Sequence, residues 1–243
     1  MIFYDWKYLA VTLLCQLLST YAGAKVRTAY AKYDRVRCGS GMTGYDAAAA
    51  LLRSSGLTDI SLGRVGGLLT DHYHPVKGVI NLSEATCDSN SVAAVAVAAH
   101  EVGHVLQKRQ GYLPYRLRTA IVPVVNFGSR LAVPLVLLGL LLGGAAAGMP
   151  GRGYGLAVTG VVLYGLSVLF ALVTLPVEYN ASRRAKQMLL AERILPEEQL
   201  PAAEAVLSAA AMTYLASLLV SLLYFLRFAW MVHAVFGRRS GRR

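Results

Sequence analysis

Four runs of apolar residues, 8–24, 131–149, 154–176 and 205–236, constrain this chain more than any other feature of its sequence. A helix rises ~1.5 Å per residue, so about 20 apolar residues cross the ~30 Å hydrocarbon layer of a bilayer. Runs of this kind predict a mainly α membrane protein with about four transmembrane helices. Composition agrees: 56% of the 243 residues are hydrophobic and only 15% are charged, against roughly 25% charged in a soluble domain. The net charge is +11, and basic residues flank the apolar runs. That placement suits lipid headgroups, and no nucleic-acid-binding module accompanies it, so nucleic acid is not expected as a partner. Cys15, Cys38 and Cys87 are scattered and give neither a disulfide framework nor a paired-cysteine metal knuckle.

The first run reads as an uncleaved anchor. Ala22-Gly23-Ala24 resembles a signal-peptide cleavage site, but Asp5 nearly cancels Lys7 ahead of the run, and basic residues follow it. The stretch AKVRTAYAKYDRVR (24–37) then leaves the membrane as a helix through the headgroup layer. Residues 38–120 are the candidate water-facing part. Thr43 can cap a helix through DAAAALLRSS to Gly56. DISLGRV, GLLTDHY and GVINLSE read as short strands, with HPVKG as the turn between the last two. Asp88 or Ser89 can cap the next helix, SVAAVAVAAHEVGHVLQKRQ, and Gly111 can end it. A PGRG turn is expected to join the second and third apolar runs into a hairpin, within which GLLLG (139–143) and GAAAG (144–148) would allow close helix approach, although chance explains such patterns equally well in so Gly/Ala-rich a stretch. ERILPEEQLP (192–201) is polar and loop-like, and no repeat is present.

The chemistry lies in AAHEVGHVLQ (99–108), which holds His100, Glu101 and His104 as His-Glu-x-x-His. On a helix, residues four apart share a face, so both imidazoles can reach one ion. Glu101 is turned by ~100° and can reach a water on the open side of that ion. A bound zinc acidifies such a water, and Glu101 is placed to take its proton. The competing reading is a helix with two ordinary core histidines. An apolar Ala/Val helix is a costly place for three such groups unless they are paired or metal-bound.

Two histidines leave the site incomplete. The extended metzincin pattern needs a histidine where Gln110 stands, so that class is disfavoured. Downstream candidates for a third ligand are Glu178, Glu192, Glu197, Glu198, Glu204 and His233. Glu178 stands apart because it follows directly on an apolar run, in LPVEYNASRRA (175–185), and is expected to open a helix with Pro176 in its first turn. The hairpin leaves the membrane face near Arg130 and returns to it near Glu178, which puts Glu178 on the side of His100 and His104. The rival role for Glu178 is a helix N-terminal charge. Two histidines and a glutamate with one open position form a catalytic zinc arrangement, one zinc per chain. Manganese or cobalt remains compatible with the same ligands.

The chain also resembles the YugP-type neutral zinc metallopeptidase family, which are bacterial integral membrane proteins. LTDHYHPVKGVINLSE (69–84), VAAHEVGHVLQ (97–107), VPVVNFGSRL (122–131), LVTLPVEYNASRRA (172–185) and AAAMTYLASLLVSLL (209–223) carry the resemblance over nearly the whole length. It implies that His100 and His104 ligate zinc, that Glu101 is the general base, and that Glu178 is the third ligand. The chain is more distantly similar to membrane gluzincins of the HtpX and CAAX-processing kind. Those carry Glu-x-x-Ala-Asp; Glu178 and Ala181 match it, but Ser182 stands at the Asp position. The carboxylate that would steady a ligand histidine is then missing there, and Asn180 is the expected substitute.

A peptidase needs a donor for the developing oxyanion as well. Tyr214 and His72 are the candidates, against plainer roles as an interfacial anchor and a turn residue. Strands around GLLTDHY and GVINLSE would offer an edge to an extended substrate. Lys25, Arg27, Lys32, Arg35 and Arg37, then Arg116, Arg118 and Arg130, then Arg183, Arg184 and Lys186 lie on the catalytic side, so the positive-inside rule places the site in the cytoplasm. The tail GRRSGRR (237–243) disagrees if the last run crosses fully.

The resulting division is 1–24 anchor, 25–120 zincin-like α+β domain with the His-Glu-x-x-His helix and a short sheet, 121–177 transmembrane hairpin, 178–203 third-ligand helix and polar loop, and 204–243 last transmembrane helix and basic tail. The expected function is a zinc endopeptidase of a bacterial plasma membrane, acting on membrane or membrane-proximal proteins in quality control. The expected partners are a peptide or protein substrate and the lipid bilayer. A catalytically silent metal-binding scaffold is the alternative, which the intact Glu101 disfavours. Intramembrane cleavage is disfavoured because the motif helix ends in QKRQG.

Overall fold

The computed structural model describes residues 6–143 and 150–240. Its long helices are α1 (Trp6–Tyr33), α5 (Leu113–Gly143), α6 (Pro150–Ala191) and α7 (Leu200–Ser240). Between α1 and α5 come α2 (Gly44–Ser54), β1 (Ser61–Val65), β2 (His72–His74), β3 (Val79–Ser83), α3 (Glu84–Cys87) and α4 (Val92–Arg109). The chain is thus mainly α with one small sheet, and four of its helices are long and apolar enough to cross a membrane. It divides into two compact units. One comprises Met1–Thr20, Leu117–Thr174 and Leu215–Arg243, and the other Tyr21–Arg116 and Leu175–Tyr214.

The first unit is built from the apolar helices. Val136 and Leu140 of α5, Ala157 of α6, and Met231 and Val232 of α7 form its core cluster. Helices approach closely at Gly139, where a Cβ would meet the Ala157 nitrogen at 2.3 Å and the Gly153 carbonyl oxygen at 2.6 Å. Small residues therefore do bring backbones together within GLLLG. GAAAG lies outside the described residues. The sequence PGRG does not form the expected turn: Pro150 opens α6, and Gly151, Arg152 and Gly153 are already helical. Proline suits a first helical turn, where its missing N–H would have no partner in any case.

The second unit carries the site. Its centre is α4, most of whose first half is buried: Val92, Ala93, Ala94, Val95, Ala98 and Ala99 are all fully enclosed, while Val97 is partly buried. A helix so largely apolar must be buried, and here its neighbours in the same unit bury it. It packs on Ala47, Ala48 and Leu51 of α2 and on Ile80 and Leu82 of β3. Thr43 caps α2 as expected, and Asp46 closes a reciprocal capping box. The cap of α4 falls two residues beyond the expected Ser89. The Ser91 hydroxyl accepts from the Ala94 amide at 3.1 Å, while Ser89 and Ser91 both donate to Asp34. Gly111, at φ +64°, follows the end of the helix as the sequence predicts.

The sheet has the order β1-β3-β2, with β1 parallel and β2 antiparallel to β3. GVINLSE therefore supplies the central strand and offers no edge, because both its sides are paired. GLLTDHY is strand only at its end, from His72. Gly67 at φ +101° and Leu69 at φ +57° turn the preceding residues out of extended geometry. In ERILPEEQLP, Ile194 and Leu195 are fully buried, and the Cys38 thiol donates to the Ile194 carbonyl at 3.2 Å. That segment is thus a pinned turn followed by a short 3-10 turn, Glu197–Gln199.

Pro176 departs most from expectation. It does not start a helix at Glu178; it lies inside α6, which continues to Ala191. A proline within a helix loses one backbone hydrogen bond and costs ~3 kcal/mol or more. Contacts made just beyond it by Val177, Glu178 and Ala181 hold the helix in register, as the site geometry shows. Glu178 is consequently not a helix N-terminal charge.

Candidate metal centre

The centre forms where α4 lies against α6. A Cβ on Gly103 would stand 2.7 Å from the Ala181 carbonyl oxygen. The two backbones touch because position 103 has no side chain and position 181 has only a methyl group. One turn of α4 then presents His100 and His104 to Glu178, whose side chain is 1% exposed. The Glu178 Oε2 lies 3.2 Å from His100 Nε2 and 3.4 Å from His104 Nε2. The imidazole rings stand edge to face, with centroids 4.7 Å apart. Among the described residues these three form the one cluster of metal-binding type, with one donor atom from each within 4.8 Å of the others.

This donor set fits zinc. Two ligands at ~2.0–2.1 Å from one ion in tetrahedral array stand about 3.3 Å apart, which matches both histidine–carboxylate distances. Both Nε2 atoms face the carboxylate, and both Nδ1 atoms are occupied from behind. His100 Nδ1 is 3.2 Å from the Ser182 hydroxyl. His104 Nδ1 is 3.0 Å from Gln107 Oε1. Burial alone would lower the pKa of His104, but hydrogen bonding and charge from Glu178 outweigh it and raise the pKa above its ordinary value.

Gln107 is fully buried, and its amide orientation is fixed by two acceptors. Nε2 donates to the Val177 carbonyl at 2.7 Å and to Asn180 Oδ1 at 3.0 Å. Oε1 must then face His104 and accept its Nδ1–H, which leaves Nε2 of the ring for an ion. Asn180 accepts a second bond from Arg184 Nε at 2.7 Å. The expected substitution of Asn180 for the missing carboxylate is thus not what the structure shows. Ser182 itself meets His100, while Asn180 acts at one remove, by orienting Gln107. Sequence reading missed Gln107, although it lies one turn beyond His104 on the same helix face. It also missed Tyr115, whose ring lies 6.3 Å from that of His104.

Gln107→Ala removes the acceptor behind His104 and leaves the Val177 carbonyl without its side-chain donor. Zinc affinity should fall by about 10–100-fold, read by competition against a fluorescent chelator. Gln107→Glu should not rescue it, because a carboxylate cannot donate to Val177 and Asn180. Unchanged affinity in both variants would show that Gln107 does not orient His104.

A cavity of about 420 Å³ opens beside the cluster, and His100, Glu101 and Tyr214 stand in its wall. Glu101 is 7% exposed, and no described residue hydrogen-bonds its carboxylate. His72 lies elsewhere: it is on β2, with Nδ1 2.8 Å from the Thr70 carbonyl and Nε2 3.1 Å from the Asn81 amide. Of the other third-ligand candidates, Glu204 pairs with Lys186 at 2.8 Å, and Glu197 sits in the 3-10 turn.

Residues 8–233 match the family described as "Putative neutral zinc metallopeptidase". The chain is also 42% identical over 221 residues to "Putative membrane protease YugP" of Bacillus subtilis (strain 168), covering 91% of this chain and 94% of that protein. No solved structure matches it significantly. The family description implies zinc as the metal, in keeping with two histidines and a carboxylate. Built on four helices fit to span a bilayer and matched almost from end to end, this membrane protein belongs to the "Putative neutral zinc metallopeptidase" family.

Proposed function

We propose that the chain is a membrane-anchored zinc endopeptidase of the gluzincin type, with one zinc held by His100, His104 and Glu178. The observation that carries this reading is the Glu101 carboxylate, which no described residue hydrogen-bonds and which stands in the cavity wall beside the three-donor cluster. A purely structural metal site has no use for a carboxylate placed there. When bound, zinc supplies Lewis acidity, acidifying water and polarising a peptide carbonyl.

The chain's own residues do the rest. A Glu101 carboxylate oxygen accepts the proton of the attacking water and passes it to the leaving amine nitrogen. Ser182 and Gln107 keep Nδ1 of the two histidines engaged, so that Nε2 stays aimed inward. Tyr214 shares the cavity and is the hydroxyl donor for the developing oxyanion. His72 has no part in this reading, since both its ring nitrogens are engaged in the sheet. The basic residues flanking the apolar runs support a cytoplasmic site at the bacterial plasma membrane. Two features favour membrane or membrane-proximal polypeptides as substrates, with quality control as the role: the likeness to a protein named a membrane protease, and the position of Glu178 just past an apolar run.

Detergent-purified protein should carry about one zinc per chain and cleave an unfolded protein such as casein. Cleavage should stop with 1,10-phenanthroline and return on adding back zinc. Zinc present without cleavage would favour the silent scaffold. Absence of any bound metal after zinc loading would end the proposal.

A further inference from the structure

The cavity that holds Glu101 is lined by Arg27, Asp71 and Thr213 and, over the rest of its wall, by apolar residues. Val97 of α4 and Val206, Leu207 and Ala210 of α7 form one wall. Leu68 and Leu69, from the loop between β1 and β2, line it as well. Leu69 packs on the buried cluster of Tyr30, Ala93 and Val206, and it does so from the left-handed region at φ +57°. A leucine avoids that conformation, and strain of this kind persists where the surrounding structure enforces it, often at ligand clamps. Thr70 Oγ1 closes the loop by donating to the Gly66 carbonyl at 2.9 Å. The result is that Leu69 anchors the loop while its neighbour Leu68 stands at the cavity, 57% exposed.

We infer that Leu68 and the facing α4 and α7 residues form a substrate subsite for a bulky aliphatic or aromatic side chain next to the cleaved bond. The inference rests on the proposed peptidase reading. A cavity of about 420 Å³ falls in the ~300–1,000 Å³ range of ligand clefts, so it admits a short stretch of extended peptide. Because His100 and Glu101 belong to the same wall, a side chain held there lies beside the reacting carbonyl. Burying an apolar group against Leu68, Val97 and Val206 is favourable, whereas a neutral polar side chain would lose its hydration there without gaining a partner among them. The substrate class is therefore polypeptide whose apolar side chains are exposed, as in an unfolded or unassembled membrane-protein segment.

The test uses the full chain carrying Glu101→Gln, loaded with zinc, and two short labelled peptides. They are identical except that one has paired leucines at its centre and the other paired serines, which carry no charge for Arg27 or Asp71 to pair with. Anisotropy should show the leucine peptide binding tighter by about tenfold or more. Leu68→Asp in the same background should abolish that preference, and Leu68→Phe should keep it. Leu68 is exposed in a loop, so neither change threatens the core. Equal binding of the two peptides would overturn the inference. So would a preference that survives Leu68→Asp, since that would be partition into detergent. Cleavage of the leucine peptide by the wild type is scored separately: selective binding without cleavage would refute the peptidase reading and leave the subsite standing.

Discussion

Glu101→Gln should lower peptide hydrolysis by about 10²–10⁴-fold, the range for losing a positioned general base. Zinc content should stay at the wild-type level, because Glu101 is not part of the three-donor cluster. The substitution keeps the shape of the side chain and takes away its ability to accept a proton from water. The paired measurement matters, since loss of activity alone would also follow from loss of metal. Kinetics on casein beside zinc quantified by atomic emission separate the two. Retained activity would move the base elsewhere, and the Glu101 carboxylate in the cavity wall would then lack a role.

Glu178→Ala should have the larger effect on the metal. Its carboxylate sits within 3.4 Å of both ring nitrogens and is almost fully enclosed. Without it only two histidine donors remain, and zinc affinity should drop by more than ~100-fold, beyond what loss of a supporting residue causes. Hydrolysis should fall with it. Equilibrium dialysis against a graded series of zinc buffers reads this directly. Wild-type affinity in the variant would mean that the third ligand lies among Glu192, Glu197, Glu198, Glu204 and His233, and that the cluster is an apo-state ion pair only.

Much of this was readable from residue order. The apolar runs announced the spanning helices, the His-Glu-x-x-His spacing announced the face of α4, and elimination singled out Glu178. The parts that were not readable share a cause: they depend on contacts between segments far apart in sequence. Pro176 followed by a glutamate carries the same local signal whether a helix starts there or passes through. Packing decided it, with Val177 accepting from Gln107 and Ala181 lying on Gly103. Ser182 reads as the loss of a carboxylate until His100 is seen 3.2 Å from its hydroxyl. The strand expected across GLLTDHY forms only from His72, for a local reason: the positive φ at Gly67 and Leu69, which leucine does not advertise. The long helices outran their apolar runs because a helix of the spanning segment need not end where its hydropathy does; α6 goes on past Pro176 to Ala191 by packing on α4.

The contact between Gly103 and Ala181 has a consequence for the ion itself. Three side chains that meet from two helices would ordinarily owe their spacing to flexible rotamers. Here the spacing is set by one main chain resting on another, and that surface does not yield. Ligand distances that fit one metal tolerate shifts of only ~0.2 Å, less than a methyl group at position 103 would demand. The gauge that sizes the ion is therefore a residue with no side chain at all, and within His-Glu-Val-Gly-His the glycine is as much a part of the instrument as the two histidines.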